Sequence, residues 1–428
     1  MYSEDMTYRR RIVDDELDEL MPQLAAICLE GAKGVGKTAT ATQRARTVID
    51  LTDRQQRTIV EADPGLLLAA DPPVLVDEWQ LVPASWDRIR RAVDDDPTGA
   101  RFLLAGSAGP TRDTRIHSGA GRIVRLQMRP LSFPERELVS PTVSLRALLQ
   151  GVPETIGGRS TVRLPDYTEE ILASGFPGVR RLAPRARRAQ LDSYLSRVVD
   201  HDLMENGVTV RRPAALIGWL TAYAAATATT ADYATILDAA APGEGAKPTR
   251  VTAVVYREAL ERQFLLDPVP AWSPSLSPLR RLVGAPKHHL VDPGLAARLL
   301  GVDAPALLRG AGDRIGPRDG PLLGALFESL TVQTVRVLAQ AAEARVWHLR
   351  TKAGEHEVDI IVEDEARRIV AIEVKLNPVV SESDVAHLLW LRRQIPERIG
   401  SLVVITTGEM AYRRPDGIAV IPLALLGP

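Results

Sequence analysis

Residues 31 to 38 read GAKGVGKT, a glycine-rich run that closes on Lys-Thr. Glycines at Gly31, Gly34 and Gly36 let the backbone aim amide N–H groups at phosphate, and a helix starting near Lys37 adds the positive end of its dipole. The Lys37 ammonium reaches β and γ oxygens, and the Thr38 hydroxyl suits Mg2+. The expected phosphate-contacting set is Gly31, Ala32, Lys33, Gly34, Val35, Gly36, Lys37, Thr38 and Ala39, with ATP and Mg2+ as its ligands. A glycine turn without nucleotide competes. Against it stand the flanks, an apolar run LAAICLE before the motif and the helically spaced TATATQRARTVID after it.

The apolar run VLVDEWQ ends in two acids. Asp77 suits the Mg2+ shell, directly or through water, while Glu78 polarises an attacking water. Ser107, closing RFLLAGS, is placed to hydrogen-bond the γ-phosphate or the water, with a plain Gly106-Ser107 turn as the competing reading. Arg122 and Arg129 are candidates for neutralising transition-state charge, in cis or from a neighbouring subunit, although surface ion pairing is the commoner fate of an arginine.

A second constellation lies near the other end: Asp359 in HEVDIIVE, Glu373 and Lys375 in AIEVKL, and Glu328 in GALFESL. Strand alternation puts Glu373 and Lys375 on one face, and a hairpin brings Asp359 beside them. Asp359 and Glu373 then suit Mg2+ or Mn2+, Lys375 orients a metal-bound water, and Glu328 supplies a third acid, a set suited to cutting phosphodiesters. Charges on a solvated strand face give the same pattern. The apolar neighbours, VDIIV and VAIEVKL, argue against that, because an unpaired charge among them is costly.

The elements that must position these residues follow from periodicity. At roughly 100 to 200 residues per domain, 428 residues predict several domains. From Leu24 to about Glu135, apolar runs alternate with amphipathic stretches, the βα signature of a parallel sheet. Beyond Pro134, Gly/Pro punctuation predicts short helices, and 185–206 a long one. The stretch from Asp232 to Trp272 then has the helix, connection, helix, strand order of a winged helix-turn-helix. The last part reads αβββαβ. The expected division is a P-loop domain with an N-terminal helix over 1–135, a helical linker or lid over 136–205, a winged helix over 206–300 and a second α/β domain over 301–428.

Charge excludes a bulk argument for polyanions, since 53 Lys+Arg against 54 Asp+Glu leave a net charge of -1. Any such site must be local. Arg180, Arg181, Arg185, Arg187 and Arg188, with Arg211 and Arg212, form the densest basic stretch and a candidate DNA-backbone contact. Trp219, Tyr223 and Tyr233 read as core anchors. Only six of the basic residues are Lys (33, 37, 247, 287, 352 and 375), so a lysine here marks a need for a compact ammonium. The single cysteine, Cys28, reads as core, and with no apolar leader or membrane-length run the chain is expected to be cytoplasmic, without a membrane partner.

GAKGVGKT, VLVDEWQ, LAGSA, GRIVRLQMRPLSFPE, SGFPG and the terminal HEVDIIVE and RIVAIEVKL together resemble the bacterial and archaeal AAA+-type ATPases that carry a C-terminal domain of unknown function. The resemblance spans essentially the whole chain. It implies an α/β multidomain fold: an AAA+-like parallel sheet of the catalytic-glutamate type, a helical and winged-helix middle, and a C-terminal restriction-endonuclease-like domain of the PD-(D/E)xK kind. By position it implies nucleotide contacts at Gly31 to Thr38, metal and base roles at Asp77 and Glu78, sensing at Ser107, and a nuclease-type set at Glu328, Asp359, Glu373 and Lys375. Val358 stands where that pattern has proline, which leaves cleavage open. The expected function is ATP hydrolysis whose nucleotide state controls a DNA-binding, nuclease-like tail, with DNA and further copies of the chain as partners. The alternative is a non-cleaving, ATP-dependent regulatory protein.

Overall fold

The computed structural model describes residues 8–107, 119–152, 156–205, 207–240, 248–274, 284–309, 320–351 and 354–428. Helix α1 (Ile12–Leu20) precedes β1 (Ala26–Glu30), and α2 (Lys37–Thr42) follows the glycine loop. Next come β2 (Thr47–Asp50), α3 (Arg54–Ala62), α4 (Leu66–Ala69), β3 (Val74–Asp77), α5 (Ala84–Asp95), β4 (Phe102–Gly106) and β5 (Val124–Gln127). These five strands form one parallel sheet in the order β2-β3-β4-β1-β5. Every residue of β3 and β4 is buried, as is expected of central strands covered on both faces, which read as continuous apolar runs. Helix α5 turns Trp86, Ile89, Ala92 and Val93 inward at helical spacing, with Trp86 4.5 Å from the ring of Trp79.

One expectation needs correction here. The stretch from Thr38 to Asp50, read as a single helix, stops being helical at Thr42, and TVID forms the edge strand β2 paired with β3. Thr47, Val48 and Ile49 are three consecutive β-branched residues, which fit a pleated edge better than a helix.

The chain continues through β6 (Val143–Ser144), α6 (Leu145–Gln150), α7 (Leu164–Ala173), α8 (Pro177–Arg180), α9 (Pro184–Arg197), a π-helical turn at Val198–Asp202, and α10 (Leu203–Glu205). Helices α11 (Pro213–Ala225), α12 (Tyr233–Ala239) and α13 (Arg250–Arg262) follow, then antiparallel bridges Leu266 to Leu290 and Val269 to Lys287. The Gly/Pro-rich connection at 241–247, Lys247 included, and Lys352 lie outside the described residues. After α14 (Pro293–Leu299), α15 (Ala304–Arg309) and α16 (Gly320–Ala341) come β7 (Arg345–Arg350), β8 (Glu357–Glu363), β9 (Ile369–Val374), α17 (Glu382–Gln394), β10 (Ile399–Thr406), β11 (Tyr412–Arg413), β12 (Ala419–Pro422) and β13 (Leu426–Gly427). The second sheet is mixed, ordered β11-β12-β10-β9-β8-β7, with β7, β8 and β9 antiparallel and β9, β10 and β12 parallel.

Two compact units result, where four segments are expected. One comprises Met1–Pro130, His201–Thr209 and Glu258–Leu265; the other Leu131–Asp200, Val210–Arg257 and Leu266–Pro428. The segment expected as a linker shares a core with the C-terminal sheet. Strand β6 pairs with β13, Tyr167 packs between Phe133 and Phe327, and its hydroxyl accepts the Ala424 N–H at 3.0 Å. Residues 321–341 of helix α16 are long and apolar enough to cross a bilayer by length and composition, although the run is not uncharged. It carries Glu328 and Arg336, and 67% of it is buried inside the protein, as in a core helix.

Candidate functional site

Strands β1, β3 and β4 run parallel and in register, so their carboxyl ends, at Glu30, Asp77 and Gly106, share one sheet edge. In open α/β sheets ligands bind outside that edge. The glycine loop leaves β1 there. A Cβ at Gly31 would lie 2.1 Å from the Met128 carbonyl oxygen, so only glycine lets the loop pass β5 this closely. Gly36 caps α2 at φ +103°, a left-handed conformation natural to glycine. Lys37 is 6% exposed and folded back over the loop, its Nζ donating to the Gly31 and Ala32 carbonyls at 2.8 and 3.0 Å. Burial pulls this ammonium down from 10.5 to about 8, against the pull of Glu78 and Asp77.

Opposite the loop, the Thr38 hydroxyl donates to Asp77, 3.0 and 2.9 Å from its two carboxylate oxygens. These are hard oxygen donors around one point, and they fit Mg2+. Burial raises the Asp77 carboxyl, and the Thr38 hydrogen bond opposes the rise. Glu78 is held in the left-handed region at φ +50°, a backbone state that is uncommon outside glycine and tends to cluster at functional sites. Ser107 Oγ donates to Glu78 Oε2 at 3.1 Å, and Gln80 Nε2 donates to the same oxygen. Cys28, wholly buried in β1, has its thiol raised by burial, as befits core.

Three contacts at the loop were not legible in the sequence. Buried Arg11 donates to the Val35 and Arg129 carbonyls, both at 2.9 Å, and so braces the loop from the N-terminal side. Tyr8 Oη lies 2.9 Å from the Thr40 hydroxyl of α2. Lys33, from the loop itself, pairs with Asp202 at 2.7 Å. Arg122 is engaged elsewhere, by Asp94 at 2.7 Å, and Arg129 Nη2 donates to Gln127 Oε1. Arg122 thus has the ordinary ion pair that was its competing reading.

In the second unit, the β8-β9 register pairs Ile360 with Ile372, and one step further sets Asp359 opposite Glu373 on a common face. Asp359 Oδ2 accepts the Val374 N–H at 2.9 Å, and Lys375 Nζ lies 2.9 Å from Glu373 Oε2. Lys287 brings Glu328 to this face, because its ammonium sits 2.9 Å from Glu328, 3.0 Å from Asp359 and 3.2 Å from Glu357. The four expected residues therefore converge, joined by Lys287 and Glu357, which the sequence reading missed. Burial raises the Glu328 carboxyl to about 8, with Asp359 adding to the rise, whereas Lys287 and Lys375 overcome burial to hold Asp359 below its ordinary value. Burial pulls Lys287 down, but Asp359, Glu328 and Glu357 outweigh it and raise the ammonium overall. Among the described residues no three His, Cys, Asp or Glu side chains are arranged to hold a metal ion. The expected Mg2+ or Mn2+ does not fit this cluster as it stands, since an ammonium already occupies its centre.

The basic stretch is partly spoken for. Arg180 pairs with Glu170 at 2.5 and 2.8 Å, and Arg187 donates to the Leu182 carbonyl, whereas Arg185 and Arg188 are exposed on α9. Trp219 and Tyr223 are buried, and Tyr233 is half-buried under the Arg257 guanidinium, 4.4 Å from its ring.

Comparison with known proteins finds three matched segments. Residues 24–137 match an AAA domain, 164–306 a domain of unknown function (DUF8612), and 323–426 another (DUF4143). Two similar relatives are uncharacterized proteins of Mycobacterium bovis and Mycobacterium tuberculosis, each 24% identical over 426 residues, covering 97% of this chain and 84% of theirs. The AAA match contains Gly31 to Ala39, Asp77, Glu78, Ser107 and Arg122, so the phosphate edge lies within an AAA-like segment, which suggests nucleotide binding there.

Proposed function

We propose that the protein hydrolyses ATP at the edge formed by β1, β3 and β4, and that its nucleotide state controls the second unit. The observation that carries this is the placement of Lys37, Thr38, Asp77, Glu78 and Ser107 around that one edge. Lys37, now hydrogen-bonded to its own loop, swings out to the β and γ oxygens, which replace the two carbonyls as its partners. Bound Mg2+ supplies charge neutralisation across the phosphates. Thr38 and Asp77 hold their oxygens ready for that ion. Glu78, fixed by Ser107 and Gln80, takes the proton of the attacking water at its carboxylate, a step of general-base type worth roughly 10²–10⁴-fold. Phosphate release by the full chain, with and without duplex DNA, tests the assignment; no turnover under either condition refutes it.

The second unit is read as the controlled part. Three helices followed by the paired segments 266–269 and 287–290 support a winged-helix reading, and the convergence of Glu328, Asp359, Glu373 and Lys375 supports a nuclease-like reading of the tail. Exposed Arg185 and Arg188 are the proposed DNA contacts. The non-cleaving regulatory alternative has its own support: the exposed residues Val251, Val254 and Val255 make one side of α13 apolar, which suits a protein partner better than phosphates.

A further inference from the structure

Lys287 is 1% exposed and is among the largest fully buried side chains of the protein. Its position is set by backbone, not by a flexible stem alone: the N–H and carbonyl of Lys287 exchange hydrogen bonds with Val269, both at 2.8 Å. Leu266 and Leu290 bridge on one side of that pair, and Ala271 bridges His348 of β7 on the other. The hairpin is thus fastened beside β7, and its lysine points among Glu328, Asp359 and Glu357 at 2.9 to 3.2 Å.

We propose that Lys287 is the resident cation of this acidic cluster and closes it to divalent ions. The proposal rests on the nuclease-like reading of the cluster given above. An ammonium about 3 Å from three carboxylates occupies the point from which Mg2+ or Mn2+, with oxygen ligands at ~2.1 Å, would draw on the same oxygens. Both cannot be there at once. Replacing Lys287 by an apolar residue leaves the ionised Asp359 without its nearest cation, and a divalent ion is one replacement for it. Glu373 offers an acceptor for it: its Oε1 is buried without a hydrogen-bond partner, while Oε2 is taken by Lys375. Lys375 pairs with Glu373 at 2.9 Å, whereas Lys287 is the ammonium in direct contact with Glu328, Asp359 and Glu357.

The test uses the full chain without nucleotide and measures Mn2+ two ways, by the thermal midpoint and by the loss of the free-ion EPR signal. Wild type, Asp359→Asn, Lys287→Met and Lys287→Met/Asp359→Asn are compared. The expected result is no Asp359-dependent Mn2+ binding in wild type, a lowered midpoint in Lys287→Met that Mn2+ restores, and no restoration once Asp359 is also replaced. Should Lys287→Met not fold, Lys287→Met/Glu328→Gln, which removes one charge of each sign, takes its place with the same readouts. Mn2+ bound by wild type and lost in Asp359→Asn overturns the resident-cation proposal and leaves the nuclease-like reading standing. A folded lysine variant indifferent to Mn2+ overturns both.

Discussion

Replacing Lys37 with Met should stabilise the nucleotide-binding unit while destroying its function. The ammonium is 6% exposed, and burial lowers it from 10.5 to about 8. At about 1.4 kcal/mol per pKa unit, this shift is a folding penalty of roughly 3 kcal/mol at neutral pH. The two hydrogen bonds to Gly31 and Ala32, worth roughly 1 kcal/mol net each, offset about 2 kcal/mol of it. A net gain of about 1 kcal/mol is expected for Lys37→Met at pH 7. The sign follows from linkage: with the folded pKa below the unfolded one, the unfolded chain binds more protons between about pH 8 and pH 10.5, so wild-type stability rises across that window and the advantage of the variant fades. Urea unfolding, with hydrogen exchange of the β1 and β3 amides to assign the transition to this unit, measures both effects. Saturating nucleotide should reverse the order, because a ligand at a hundredfold excess over its Kd adds ~2.7 kcal/mol to wild type and nothing to the variant. A Lys37→Met protein less stable than wild type at pH 7, or equally stabilised by nucleotide, refutes the reasoning.

Three further outcomes are expected. Ser107→Ala removes one hydrogen bond to the Glu78 carboxylate and should slow phosphate release roughly tenfold or more with nucleotide affinity unchanged, as a stopped-flow comparison would show. Gly31→Ala forces a Cβ to within 2.1 Å of the Met128 carbonyl, so the loop must move; nucleotide titration should show binding lost even where circular dichroism shows a folded chain. Charge reversal at Arg185 and Arg188 should flatten the salt dependence of duplex DNA binding, by ~0.9 in log-log slope per phosphate contact removed, and identical slopes would return these arginines to a solvated face.

Local spacing made the phosphate edge legible. Gly31 to Thr38 is contiguous, and Asp77 and Glu78 close a single strand, so one run of sequence carries each half of the site. The same holds for β8, β9 and β10, whose apolar patterns are nearly continuous. What escaped was set by distant partners. Lys287 reaches Glu328 across 41 residues and Asp359 across 72, and no periodicity encodes such a contact. Its one trace was type: a lysine in a chain that otherwise uses arginine, sitting where a planar guanidinium would be harder to place. Arg11 lay hidden for the converse reason, as one of three consecutive arginines of which only this one is buried. Strand β2 was missed because, four residues beyond a short helix, its Val48 and Ile49 continue the helical apolar spacing by chance.

The account stands most directly on ATP turnover by the full chain in Mg2+, compared across wild type, Lys37→Ala and Glu78→Gln, with nucleotide affinity measured on the same samples. It predicts turnover in wild type, neither binding nor turnover in Lys37→Ala, and binding close to wild type with turnover lowered roughly 10²–10⁴-fold in Glu78→Gln, where the amide can keep the Ser107 contact but cannot take a proton. Turnover that survives in Glu78→Gln, or in Lys37→Ala, would contradict it.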